Sequence, residues 1–157
     1  MVTVKVNTAP LLTQIPDLAV DEGALLSFTA ADADVPANTL TFSLAPGAPA
    51  GAFINSTNGA FTWTPTETQG PSTNVITVIV ADNGTPPLTV TQSFQVTVRE
   101  INQPPQLSIP GPQAIVELTT LVLTNTASDA DLPANALTFS LVDAPADTTL
   151  DPGRISE

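Results

Sequence analysis

The chain has 157 residues with 15 acidic and 3 basic side chains, a formal net charge of −12, and neither cysteine nor histidine. This composition excludes disulfides, Cys/His zinc sites and Cys/His nucleophiles, and it argues against nucleic acid and anionic membrane surfaces as partners. Hydrophobic residues reach 42% against 11% charged, which predicts a folded chain without membrane insertion, and the negative charge suits hard cations such as calcium.

The predicted elements, in chain order, are mostly short strands. The opening "MVTVKV" resembles "VTVRE" further on, so residues 1–6 are predicted to end a preceding repeat. Five later segments alternate apolar residues with Thr, Ser or Gln, as half-buried strands do. They are "LLSFTA", "LTFSLA", "AFTWTP", "NVITVIVAD" and "LTVTQSFQVTV", and "LLTQIPDLAVDEG" adds one or two more. About seven strands separated by turn sequences predict an all-β, antiparallel Greek-key β-sandwich over residues 7–101.

The chain also repeats itself after about 95 residues, the length of a small domain. "NTAPLLTQIPDLAVDEG" is followed by a matching "NQPPQLSIPGPQAIVEL", and "DADVPANTLTFSL" by "DADLPANALTFSL". Residues 102–157 are therefore predicted to be the truncated N-terminal half of a second, tandem repeat. Since no later segment matches residues 75–98, we expect this half repeat to expose strand edges and to be only partly ordered.

Two side chains have a structural and a functional interpretation. Trp63 alternates with Phe61 and is predicted to lie in the core, although a single Trp could also stack on a sugar. The predicted core partners of Trp63 are Phe28, Phe42, Ile76 and Phe94. Asp82 opens "DNGTPP", which predicts a tight turn between the two longest strands, with the carboxylate as a turn residue or as a ligand.

Several motifs together resemble cadherin repeats. "VTVIVADNGTPPLTVTQSFQVTVREINQPP" resembles the closing half of such a repeat, and "DAD" with the following Pro and Asn resembles the cadherin aspartate loop. "NGAFTWTPTE" is similar to the cadherin-like, "putative Ig-like" and dystroglycan-type cadherin-like tandem repeats of large bacterial surface proteins. The resemblance implies an extracellular, secreted or cell-surface location, and it implies neighbouring repeats of the same chain as partners.

The resemblance also implies calcium at the junction between successive repeats. Gln103 departs from the family pattern, which has an acid there, and Lys5 opposes a cation at the upstream junction. The acids gather at predicted strand ends, where their repulsion favours a bound cation, although solvated turns remain the alternative. The matching ligands are Glu22, Glu67, Glu100, Asn102, Asp129 and Asp131, and the weaker matches are Asp32, Asp34, Asn38, Asp82 and Asn135.

Function follows from these features. The sequence contains no nucleophile elbow, phosphate-binding glycine loop or catalytic carboxylate pair, which predicts a protein that is not an enzyme. The leading interpretation is an extracellular tandem-repeat module that serves adhesion, with a surface glycan or protein of another cell as partner, or that forms a calcium-stiffened stalk. The alternative is a carbohydrate- or protein-binding accessory domain of a large secreted enzyme.

Overall fold

The computed structural model describes residues 6–31 and 39–150, and the chain divides into two units, Met1–Glu100 and Ile101–Glu157. In the described part of the first unit, seven strands form two sheets, with strand orders β1-β7-β6-β3 and β2-β5-β4. The strands are β1 (Leu18–Asp21), β2 (Leu26–Thr29), β3 (Leu40–Leu44), β4 (Phe53–Ile54), β5 (Ala60–Trp63), β6 (Ser72–Asp82) and β7 (Thr89–Arg99). The predicted all-β sandwich is confirmed.

The hairpin of β6 and β7 shows how alternation builds the sandwich. The two strands pair antiparallel from Ser72 opposite Val98 to Ala81 opposite Thr89. Every second residue is buried along part of each strand, and the buried apolar residues are Ile76, Val78 and Val80 on β6 and Phe94, Val96 and Val98 on β7. On the outer face, the Thr77 and Ser93 hydroxyl oxygens lie 2.7 Å apart.

The pairing of β1 with β7 is parallel, from Leu18 opposite Val96 to Asp21 opposite Arg99, which departs from the antiparallel pattern predicted for the sandwich. The segment before β1 first follows the other sheet, since the Thr13 amide donates to the Ala31 carbonyl at 2.9 Å. The chain therefore crosses between the sheets before β1 and reaches the edge strand β7 running in the same direction.

The core is centred on aromatic side chains. Trp63 is 1% exposed, and its Nε1–H donates to the Ala50 carbonyl at 3.2 Å. Phe28 stacks on Phe61 with ring centroids 4.8 Å apart, and Phe94 meets both rings edge-on. All four predicted partners of Trp63 belong to this core or pack against it. The core interpretation of Trp63 is confirmed, and a ring this buried cannot stack on a sugar in the folded unit.

The loop between β6 and β7 is organised around Asp82, which is 5% exposed. The Asn7 side-chain amide donates to both Asp82 carboxylate oxygens at 3.0 Å, and the Gly84 and Leu88 amides each donate to Oδ1 at 2.9 Å. The hydrogen bond from Leu88 lowers the pKa of Asp82 and, with those from Asn7 and Gly84, outweighs the opposing effect of burial. The chain reverses direction here, as the sequence predicts, through a loop of residues 83–88.

This lowered pKa predicts an acid-sensitive contribution to stability. Because the folded-state pKa of Asp82 lies below its unfolded value, the contribution is complete above about pH 4 and is lost as the pH falls through the folded-state pKa. We expect Asp82→Asn to lower the melting temperature at pH 6 and to flatten its decline between pH 5 and 2, measured by circular dichroism. An equally steep decline in the variant would contradict this role.

The second unit contains one two-stranded sheet among its described residues. Strands β8 (Gln106–Ser108) and β9 (Thr126–Ser128) pair antiparallel. Its apolar side chains are largely open to solvent, among them Val116, Leu118 and Val122.

The repeated "LTFSL" behaves differently in its two copies. In the first unit it is β3, which pairs with β6 from Leu40 opposite Asp82 to Leu44 opposite Val78. Residues 137–141 carry the same letters and are not a strand, so the prediction of a core strand is wrong for this copy. The physical reason is the partner: among the described residues of the second unit only β8 and β9 pair, so this segment has no neighbouring strand.

Candidate metal centre

Three glutamates that are distant in sequence meet in the first unit. Glu22, Glu67 and Glu100 each place one carboxylate oxygen so that the three atoms lie within 4.8 Å of one another. All three residues are partly buried. Of the six better-matching calcium ligands predicted from the sequence, these are the three that belong to this unit, and the fold brings them together.

The pairing of β1 with β7 places Glu22 beside Glu100. Asp21 is opposite Arg99 at the end of the parallel ladder, and the Glu22 amide continues it by donating to the Arg99 carbonyl at 3.0 Å. The next residue of each strand therefore emerges at the same end of the sheet. Side chains alternate along a strand, so Arg99 turns away and forms a salt bridge with Asp21, Nε to Oδ1, at 2.7 Å.

Glu67 comes from a 3-10 helix, Glu67–Gln69, between β5 and β6. The chain just before this helix is tied to the turn after Glu22, because the Gly23 amide donates to the Pro65 carbonyl at 2.8 Å. This bond brings the turn that follows β1 next to the segment that leads into the helix. It accounts for the approach of Glu67 to Glu22 across 45 residues of sequence.

The helix itself is held by Gln69, whose role the sequence did not reveal. The Gln69 Oε1 accepts the Thr66 amide at 2.9 Å, and its Nε2 donates to the Ala50 carbonyl at 3.1 Å. The same carbonyl accepts the indole of Trp63, so the segment that carries Glu67 is anchored beside the core. The signal in the sequence was the spacing "TETQ", a Thr followed three residues later by Gln, which is a capping-box pattern.

Gly70 makes room for the Glu22 carboxylate. A β-carbon built on Gly70 would overlap Glu22 Oε2 and would lie 3.4 Å from Val98 Cγ1. The side chain of Glu22 therefore occupies space that any other residue at position 70 would fill.

The donor set fits a hard divalent cation. Three carboxylates carry six oxygen atoms, against the roughly 6–8 that calcium takes. Glu22 Oε2 and both Glu100 carboxylate oxygens have almost no solvent-accessible surface, so gathering their negative charge is costly. These three carboxylates, hereafter the glutamate cluster (Glu22, Glu67, Glu100), are oxygen donors of the kind that calcium takes.

The predicted ligands of the second unit form a group of their own. Asp131 is 2% exposed and accepts the Gln103 backbone amide at 2.9 and 3.1 Å and the Asn135 amide at 3.0 Å. Asp129 Oδ1 accepts the Asp131 amide at 3.1 Å, and Asn135 Nδ2 reaches Asn102 Oδ1 at 3.5 Å. Gln103 thus takes part through its backbone, a role that its side chain does not signal.

The remaining predicted ligands belong to the upstream junction. Asp32, Asp34 and Asn38 lie outside the described residues, as does Lys5. Asp82 lies within them and is engaged by Asn7 and by the loop that follows it. Its role as a ligand stays a prediction.

Comparisons with known proteins agree with the architecture. Residues 9–99 match the family model described as "Putative Ig domain". A search of curated proteins gave no match. Within the described residues, no helix has the length and apolar character needed to cross a membrane.

Solved structures with the same fold include several cadherin ectodomains. The Protocadherin GammaB4 extracellular domain aligns at 16% identity and a TM-score of 0.52, covering 80% of this chain and 25% of that one. Human CDH23 EC21-23 aligns at 21% and 0.50, covering 82% and 48%, and human Protocadherin-24 EC1-2 at 16% and 0.50, covering 78% and 61%. The chain therefore spans between a quarter and three fifths of these structures, and at such identities the likeness concerns the fold.

Proposed function

Because the chain belongs to the "Putative Ig domain" family, whose model matches residues 9–99, we propose that it is a non-enzymatic repeat module of a secreted or cell-surface protein. Domains of this Ig-like and cadherin-like fold are typical of extracellular, adhesion-type modules. In this proposal residues 7–101 form one complete repeat, residues 1–6 end the preceding one, and residues 102–157 begin the next. Its partners are neighbouring repeats and a surface protein or glycan of another cell.

The observation that carries the proposal is the glutamate cluster. Its three carboxylates converge where β7 ends, and Glu100 is the last residue before the chain enters the second unit. A calcium ion held there would neutralise the gathered charge. We propose that Asn102, Asp129 and Asp131 supply further oxygen ligands, as their match to the cadherin linker and aspartate loop implies. Ligands from both repeats would restrict the linker and stiffen the array.

Other residues of the chain would hold the three glutamates of such a site in position. The parallel pairing of β1 with β7 holds Glu22 beside Glu100, and the Gln69 side chain fixes the helix that presents Glu67. These supports are contacts within the chain itself. Folding of the chain therefore positions the three carboxylates, and this preorganisation favours cation binding.

Calcium is expected to stabilise the chain, and this tests the proposal. Extracellular calcium modules have dissociation constants of about 0.1–1 mM, so 10 mM calcium should contribute about 1.4–2.7 kcal/mol. For a repeat of this size that corresponds to a rise in melting temperature of about 6–20 °C, measured by circular dichroism against a chelator. Magnesium, which demands stricter octahedral geometry, should give a smaller rise.

Variants of single glutamates separate this site from a general charge effect. Glu100→Gln should abolish the rise and, without calcium, should melt no lower than the parent because it relieves repulsion. Glu117→Gln removes the same charge at an exposed position outside the cluster and should respond to calcium as the parent does. Calcium should also slow thermolysin cleavage near Ile101. If calcium leaves both the melting temperature and the cleavage unchanged, the cation part of the proposal is lost.

A further inference from the structure

We propose that Gly70 is a positioning residue for the cation site, because the missing side chain at this position determines where the Glu22 carboxylate can stand. This inference rests on the proposed function and extends it to a residue that makes no contact with a metal. Gly70 follows directly on the helix that carries Glu67, and its amide donates to the Glu67 carbonyl at 3.3 Å. One residue thus lies against two of the three glutamates.

The backbone at Gly70 does not itself require glycine. Its φ of −106° and ψ of 155° are ordinary extended values that any L-residue adopts. Gly23 and Gly59, by contrast, have φ values of 70° and 67°, where glycine relieves strain. At position 70 the reason for glycine is therefore space, and the space is taken by Glu22.

The atom that occupies this space determines what alanine would do. The added methyl group would overlap Glu22 Oε2, the far end of a flexible side chain, while Glu22 Cδ and Val98 Cγ1 would each be 3.4 Å away. The carboxylate can swing aside by rotating the Glu22 side chain, so the fold need not change. The cluster, however, would lose the geometry that calcium needs, since its oxygen ligands must stand about 2.3–2.6 Å from the ion.

The experiment compares Gly70→Ala with Gly111→Ala in the full chain. Gly111 adds the same methyl group at an exposed position with nothing within 4 Å of the new atom. Calorimetric titration with calcium should give a dissociation constant about 10–100-fold higher for Gly70→Ala, as is usual when a residue that orients a metal ligand is changed. Gly111→Ala should bind as the parent does. Both calcium-free variants should melt within a few degrees of the parent.

A double-variant cycle shows whether the effect runs through Glu22. Glu22→Gln should weaken calcium binding strongly in the parent and much less in the Gly70→Ala background, because the carboxylate is already displaced there. The Glu22 carboxylate carbon resonance of the calcium-free chain should shift in Gly70→Ala and stay in place in Gly111→Ala. A purely structural role for Gly70 would give additive losses and no such shift.

The outcomes distinguish this inference from the proposed function. Calcium binding by the parent with an unchanged dissociation constant in Gly70→Ala overturns the role of Gly70 and leaves the cation site standing. A parent chain that binds no calcium overturns both. Weakened binding in Gly70→Ala, with non-additive loss at Glu22, supports both.

Discussion

Replacing Trp63 by alanine is expected to cost about 3–5 kcal/mol of the free energy of unfolding, as for other large aromatic side chains deleted from cores. The ring is 1% exposed and also donates a hydrogen bond to Ala50, so its loss opens a cavity and leaves a carbonyl with one donor fewer. Domains of this size are stabilised by only about 5–15 kcal/mol. The melting temperature should therefore fall by at least about 12 °C, measured by circular dichroism and differential scanning calorimetry.

The neighbouring strand position provides the control. Thr62 lies between Phe61 and Trp63 on β5 and points to solvent, so Thr62→Ala should change the melting temperature by only a few degrees. The same pair of variants tests the sugar-stacking interpretation of Trp63. A Trp63→Ala chain that melts like the parent but loses binding on a glycan array would restore that interpretation and contradict the core role.

The strands and the core could be predicted from the sequence because both depend on local alternation. The structure buries every second residue from Ile76 to Asp82 on β6 and from Phe94 to Val98 on β7, and all of these except Asp82 are apolar. The parallel pairing of β1 could not be predicted in this way. Strand direction depends on where the chain crosses between sheets, and a hydrogen bond from Thr13 to Ala31, 18 residues away, marks the side from which it crosses.

The two copies of "LTFSL" show the same limit. Both copies have the alternating sequence of a strand, yet only the copy at residues 40–44 pairs with β6. A strand needs a neighbour to satisfy its backbone groups. Alternation therefore indicates a capacity for pairing, and the partner decides whether the strand forms.

The candidate metal site also has a part that the sequence predicted and a part that it did not. The resemblance to cadherins selected Glu22, Glu67 and Glu100, and the fold brings these three together within 4.8 Å. It did not indicate the Gln69 contacts or the space at Gly70, because both depend on segments that meet only in three dimensions. A motif indicates the candidate ligands, whereas the residues that position these ligands are visible only in the structure.

Gly59→Ala is expected to destabilise the first unit by about 2–4 kcal/mol, combining backbone strain with overpacking. Gly59 has a φ of 67°, and a β-carbon there would lie 2.5 Å from the Ala30 carbonyl oxygen and 2.9 Å from Phe42 Cε1. The Ala30 amide also donates to the Gly59 carbonyl at 2.9 Å. The methyl group would therefore press against backbone that is already hydrogen-bonded and against a core ring, and neither can rotate away.

Gly47→Ala separates the two causes of this loss. Gly47 also has a positive φ, 96°, but a β-carbon there would meet nothing within 4 Å. It should therefore show the backbone strain alone, about 1 kcal/mol, and urea denaturation of both variants should give the difference that is due to overpacking. Equal losses would mean that the contact with Ala30 and Phe42 costs nothing. A larger loss at Gly59 would show that glycine is needed there for close packing of the "STNG" turn against the core as well as for its backbone conformation.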